Sequence, residues 1–114
     1  MLRMNVLADD GDAVHVRCEG DLSQHGLAGP NPLERLLGPT AFRRRVRLNL
    51  ERVDYLDSKG IGWLVECHQR CRRAGGALSL SELPPRVLQV LQFCSMDRYF
   101  HLIRDASPGD RKAS

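Results

Sequence analysis

Aromatic residues are scarce in this chain, at 5% of its 114 positions. Nucleic-acid surfaces combine basic residues with stacking aromatics, so this scarcity argues against a direct nucleic-acid partner. The net charge of +3 does not restore that reading, because 17 basic residues are offset by 14 acidic ones. Arginines do cluster at "FRRRVR", Phe42 to Arg47, and at Arg70, Arg72 and Arg73. The second cluster closes a helical pattern, where cations suit the macrodipole, and both clusters read as solvated surface.

No apolar run approaches the ~20 residues that a membrane-spanning helix needs. The N-terminal "MLRMNVLADDGD" lacks the apolar core of a secretory signal. The expectation is a cytoplasmic protein with no membrane insertion. Its four cysteines, Cys18, Cys67, Cys71 and Cys94, all fall in apolar-periodic segments and read as reduced core residues. Cys67 and Cys71 flank His68 at the i,i+4 spacing of two metal ligands. A closed zinc site needs four ligands, and no second CxxC or HxxxH completes one, so no metal is expected. Equally absent are GxSxG and SxxK, and His15, His25, His68 and His101 are scattered. Without a nucleophile and base placed by motif, the chain is not read as an enzyme and calls for no cofactor.

What is present is one domain's worth of ordinary globular sequence, with no internal repeat. Met4 and Val6 alternate with polar neighbours and lead into an Asp-Gly turn signal in "DDGD". "AVHVRCEG" then alternates cleanly, with Val14, Val16 and Cys18 on one face and His15, Arg17 and Glu19 on the other. These two segments predict a hairpin. The uncharged, Gly- and Pro-rich stretch from Leu22 to Leu33 reads as loop. Asn31-Pro32 supplies a cap and first position for a short helix that Gly38-Pro39 ends.

"VRLNL", Val46 to Leu50, predicts another strand. After it comes a helix with Ile61, Leu64, Val65, His68 and Cys71 or Arg72 on its apolar stripe and Gly75-Gly76 as its stop. "ALSLSEL" is a further strand bringing Leu78 and Leu80 to one face. Pro84-Pro85 opens a helix with Val87, Val90, Leu91 and Cys94 at i, i+3, i+4 and i+7, and "YFHLI" reads as a last short strand or helix. Alternating strands and helices predict parallel pairing. The expected fold is α/β: a mixed sheet with an N-terminal antiparallel hairpin, later strands parallel, flanked by helices. The domain is expected over residues 1–104, followed by a disordered tail at 105–114.

The chemistry concentrates at "LDSKGIGW", Leu56 to Trp63. Asp57 and Ser58 stand where a strand passes into a helix, at the sheet edge where ligands and chemistry usually collect. Gly60 and Gly62 weaken the first helical turn, each by about 1 kcal/mol relative to alanine. A bare N-cap explains the acid and the hydroxyl but not the glycines. A small first turn leaves the amides open to a group approaching from outside. A phosphate on Ser58 would meet the positive end of the helix, changing the surface without unfolding the domain. Trp63, the sole tryptophan, falls toward the flank of this helix and reads either as a contact anchor or as a partly buried edge.

From Met4 to Ile103, and most specifically from Val46 to Gly76, the chain resembles the STAS domain of bacterial anti-sigma-factor antagonists. That family has a hydrophobic strand, an Asp-Ser-x-Gly-hydrophobic-Gly turn, a helix, a Gly-Gly stop and another strand. The resemblance implies partner switching. The unphosphorylated protein would bind an anti-sigma factor that is also a serine kinase, releasing the sigma factor. Phosphorylation at Ser58 would break the complex, and a metal-dependent PP2C-type phosphatase would restore it. The implied contact residues are Asp57, Ser58, Lys59, Gly60, Gly62 and Trp63, with Asp21 and Ser23. Two departures reduce the acidic charge near the serine: Asn49 stands where the family often has Asp, and "GDLS", Gly20 to Ser23, where it often has Gly-Glu-x-Asp. The family's alternative role is a non-enzymatic interaction module in stress-signalling or lipid-transporter assemblies.

Overall fold

The computed structural model describes residues 2–23, 27 and 31–103. In chain order these form β1 (Arg3–Asp9), β2 (Ala13–Leu22), α1 (Pro32–Leu37), a 3-10 turn (Ala41–Arg43), β3 (Arg45–Leu56), α2 (Ser58–Ala74), β4 (Ala77–Ser81), α3 (Pro85–Phe93) and β5 (His101–Ile103). The strands make one sheet in the order β1-β2-β3-β4-β5, with β1 antiparallel to β2 and every other pair parallel. This is the mixed sheet the alternation predicts. The tail at 105–114 and His25 lie outside the described residues. Among the described residues, no helix is long and apolar enough to cross a membrane.

Local chemistry sets the element ends. The Asp10 carboxylate accepts the N–H groups of Asp12 and Ala13 at 3.0 and 2.7 Å, closing the hairpin turn. Those same bonds hold its pKa below the ordinary aspartate value. At α1, the Asn31 side chain accepts from Leu33 N and Glu34 N at 2.9 and 3.3 Å, with Pro32 behind it as the first helical residue. α2 stops at Gly75, which takes the left-handed conformation at φ 93°. Gly76 serves a different need, since a Cβ there would stand 2.4 Å from the carbonyl oxygens of both Phe42 and Arg44.

Val14, Val16, Cys18, Leu48, Leu50, Leu78 and Leu80 are all buried, together with Leu33, Leu64, Val87 and Leu91 from the helices. On the other face of the strands, His15, Arg17, Arg47 and Ser79 are only half-buried. The helices therefore cover one face of the sheet and leave the other to polar side chains. The arginine run is less free than solvated surface implies. Arg44 pairs with Asp9, and Arg45 with Asp12 at 2.6 Å, so both tie β3 to the hairpin. Arg70 lies 4.1 Å over the ring of the buried Phe42.

Three expectations are corrected. β3 does not end at Leu50 but runs to Leu56, because the exposed Glu51 and Arg52 interrupt its alternation without ending its pairing. The buried stripe of α2 is Gly60, Trp63, Leu64, Cys67 and Cys71, which leaves Ile61, Val65 and His68 half-buried at its side. Cys94 is exposed, because α3 ends at Phe93 and Cys94 caps it beyond the packed stripe.

Between Val6 and Ala8 the β1–β2 register slips, which leaves Leu7 out of the ladder. Two further slips, between Arg17 and Glu19 and between Gly20 and Asp21, bend the parallel β2–β3 pair toward its C-terminal end.

Candidate functional site

β2 and β3 finish side by side, with Asp21 opposite Tyr55 and Leu22 opposite Leu56. The chain then turns into α2. Asp57 sits in extended conformation as the N-cap, and its carboxylate accepts Gly60 N at 3.0 Å. Its own N–H donates to the Leu22 carbonyl at 3.2 Å, which fastens the turn to the end of β2. Ile61 N donates to Asp57 O at 3.0 Å and starts the helical ladder. Ser58 and Lys59 are exposed on the outside of this braced turn.

The two glycines have separate reasons. Gly60 is buried, and a Cβ on it would meet Leu22 O at 2.0 Å, Leu22 C at 2.7 Å and Leu56 Cδ1 at 2.8 Å. Its missing side chain lets α2 press onto the end of β2, so Gly60 is a packing residue and not a surface contact. Gly62 is exposed with nothing within 4 Å of where its Cβ would be. Only Gly62 lowers the outer surface beside Ser58.

Trp63 is also corrected. It is 7% exposed and belongs to the core, because position 63 lies on the Gly60–Leu64–Cys67 side of the helix and faces the sheet. At that depth it presents little surface beside Ser58. Ser23 is 2% exposed, so of Asp21 and Ser23 only Asp21, half-buried, presents surface beside the turn. The residues brought together at the surface are Asp21, Ser58, Lys59 and Gly62, with the half-buried Asp57 beneath them.

Tyr55 escaped the sequence reading. It is 54% exposed next to the end of β3, opposite Asp21, and Arg86 at the start of α3 donates to the neighbouring Asp54 carbonyl at 3.3 Å. Its signal in the sequence was an aromatic placed between the charged Asp54 and the buried Leu56, off the apolar phase.

Among the described residues, no three side chains of metal-ligating type come together. The thiols of Cys18 and Cys67 are pushed up to about 12 and that of Cys71 to about 11 by burial. All three are core residues. The turn offers an exposed hydroxyl at a helix N-terminus, held at a fixed position by the strand behind it.

A family model described as the STAS domain matches residues 6–107. The chain belongs to the STAS domain family. Solved structures show the same fold at low identity. An anti-sigma factor antagonist from Mycobacterium paratuberculosis superposes with a TM-score of 0.70 at 18% identity, covering 96% of this chain and 90% of that one. The unphosphorylated anti-sigma factor antagonist SpoIIAA gives 0.66 at 20% identity, over 96% and 92%. The Bacillus cell-fate determinant SpoIIAA in its phosphorylated form gives 0.63 at 18% identity, over 97% and 98%. In this STAS domain the turn from Asp57 to Gly62 thus projects from the C-terminal edge of the five-stranded sheet.

Proposed function

We propose that this STAS domain is a non-catalytic, cytoplasmic anti-sigma-factor antagonist that works by partner switching at Ser58. In the unphosphorylated state the surface around Ser58, Lys59, Gly62 and Asp21 docks onto an anti-sigma factor that is also a serine kinase, and the sigma factor is released. The kinase transfers the γ-phosphoryl group of ATP to Ser58 Oγ, ADP leaves, and the complex separates. A PP2C-type phosphatase hydrolyses the ester and returns the docking form.

The observation that carries this reading is the exposed Ser58 hydroxyl at the first position of α2, on a turn braced by Asp57 and the Leu22 carbonyl. A phosphate adds a charge of about −1.5 to −2 at neutral pH. At a helix N-terminus that charge is favourable, by about 0.3–1 kcal/mol for an exposed group, so the fold accepts it. A docked partner does not, since it would have to desolvate the new dianion. The contact surface changes while the domain stays folded. The recorded phosphorylated and unphosphorylated forms of SpoIIAA, whose folds both resemble this one, support the reading.

The test is binding of the cognate anti-sigma factor to wild type, Ser58→Ala and Ser58→Asp by calorimetry. Ser58→Asp is expected to bind at least about tenfold more weakly, about 1.4 kcal/mol, with a melting temperature close to wild type. Kinase and ATP should add one phosphate to wild type and none to Ser58→Ala. Wild-type affinity in Ser58→Asp together with phosphate incorporation into Ser58→Ala would refute the proposal.

A further inference from the structure

The uncovered face of the sheet carries a second constellation at the opposite end of the strands. His15 is registered with Arg47, Arg47 with Ser79, and Ser79 with His101. These four polar side chains form a single row across β2, β3, β4 and β5. Adjacent strands lie about 4.8 Å apart, so the row spans roughly 14 Å. The neighbouring rung is Ala13, Arg45 and Ala77, and its two small residues leave a depression. The resulting groove has a volume of about 850 Å³, within the ~300–1,000 Å³ typical of small-molecule sites.

Its lining carries both signs, but not evenly spread: Asp9 pairs with Arg44, Asp12 with Arg45, Asp10 caps the hairpin, and the charge of Glu82 acts on His15, which leaves Arg47 as the cation of the row. Arg47 makes no ion pair among the described residues. Its Nε and the Nε2 of His15 are covered, yet neither finds a hydrogen-bond partner there. Arg47 Nε can only donate, and a covered donor without an acceptor is costly unless something supplies one. A metal does not fit, since three strand spacings keep His15 and His101 too far apart to share one ion.

We infer that this row binds a small organic anion, a carboxylate or phosphate whose charged end sits over Arg47 between His15 and His101 and whose apolar body lies along Ala13 and Ala77. Arginine favours such groups because its planar fork matches two oxygens at once. The groove is separated from the Ser58 turn by the length of β3 from Arg47 to Leu56, on the order of 30 Å. The ligand therefore does not compete with the docking surface.

The experiment is an NMR titration of the full isotope-labelled chain with hexanoate, hexyl phosphate and inorganic phosphate, each against sodium chloride at matched ionic strength. The expected result is saturable shifts of the His15, Arg47, Ser79 and His101 amides with a hexyl ligand, and weaker binding of inorganic phosphate. Whichever headgroup saturates at lower concentration identifies the anion. Arg47→Gln and Ser79→Asp should each weaken binding by about tenfold or more, with both variants retaining a cooperative melt. Because the two substitutions disturb the row differently, loss of fold in one leaves the other as the test. Shifts that stay linear, that chloride reproduces, or that persist unchanged in the variants would overturn the assignment.

Discussion

Replacing Gly60 and Gly62 by alanine, one at a time, should move stability in opposite directions. At Gly60 the new methyl would lie 2.0 Å from the Leu22 carbonyl oxygen, against 3.4 Å for an ordinary contact. Relief requires a movement of about 1.4 Å between α2 and the end of β2. Backbone and the packed Leu56 side chain surround the methyl, so no flexible side chain can swing away. Overpacking of this kind costs about 1–3 kcal/mol. The same movement strains the Asp57 N–H bond to that carbonyl, about 1 kcal/mol more. Better helix propensity returns about 1 kcal/mol. The net is a loss of about 2 kcal/mol, or a melting temperature lower by roughly 6–12 °C for a domain of this size. Gly62 meets nothing within 4 Å, so alanine there should gain about 0.5–1 kcal/mol and raise the melting temperature by a few degrees. Thermal unfolding followed by far-UV circular dichroism measures both. Equal effects at the two positions, or a Gly60→Ala protein as stable as wild type, would refute the close-packing account.

Trp63→Ala should cost about 3–5 kcal/mol as a core truncation; an unchanged urea midpoint with weakened partner binding would return Trp63 to the docking face. In the native protein a thiol reagent at pH 8 should label Cys94 alone, since burial holds Cys18 and Cys67 near 12 and Cys71 near 11. Rapid labelling of a second cysteine without unfolding would contradict that packing. His68 packs edge-on against Tyr99 and Phe100, with centroids at 4.8 and 5.8 Å, and burial, then the charge of Arg72, holds its pKa below 6.5. The unfolded chain then binds the proton more readily. The contribution of neutral His68 is thus fully present above about pH 6.5 and is lost as pH falls through the lower folded value. Urea unfolding should show wild type losing more stability than His68→Leu between pH 7.5 and 5, and parallel losses would exclude the effect.

Much of the architecture was legible because single-face burial writes itself as alternation. Val14, Val16 and Cys18, and Leu48 with Leu50, named the core face directly, and Asn31-Pro32 and Gly75-Gly76 marked helix ends that the structure keeps. The turn motif placed Asp57, Ser58 and Lys59 correctly at the end of β3. What failed was phase. The slips in the β2–β3 register broke the period of two beyond Leu50, so half of β3 went unread. On α2 the apolar residues wrap far enough that two stripes fit the spacing. The choice between them rests on Gly60, whose contact with Leu22 is not local in sequence. That same long-range contact turned Trp63 inward.

The slip that leaves Leu7 outside the β1–β2 ladder matters for colloidal behaviour. β1 is one of two outer strands, and it exposes Val6 and Leu7 along seven residues. A straight apolar margin of that kind recruits strands from other copies. The irregularity twists it, so that no flat template of more than a few residues is offered, and Arg3 and Asp9 stand as charges at its two ends. The opposite margin, β5, is only three residues long. Both flanks of the sheet thereby offer little straight, unpaired backbone to a strand from another copy.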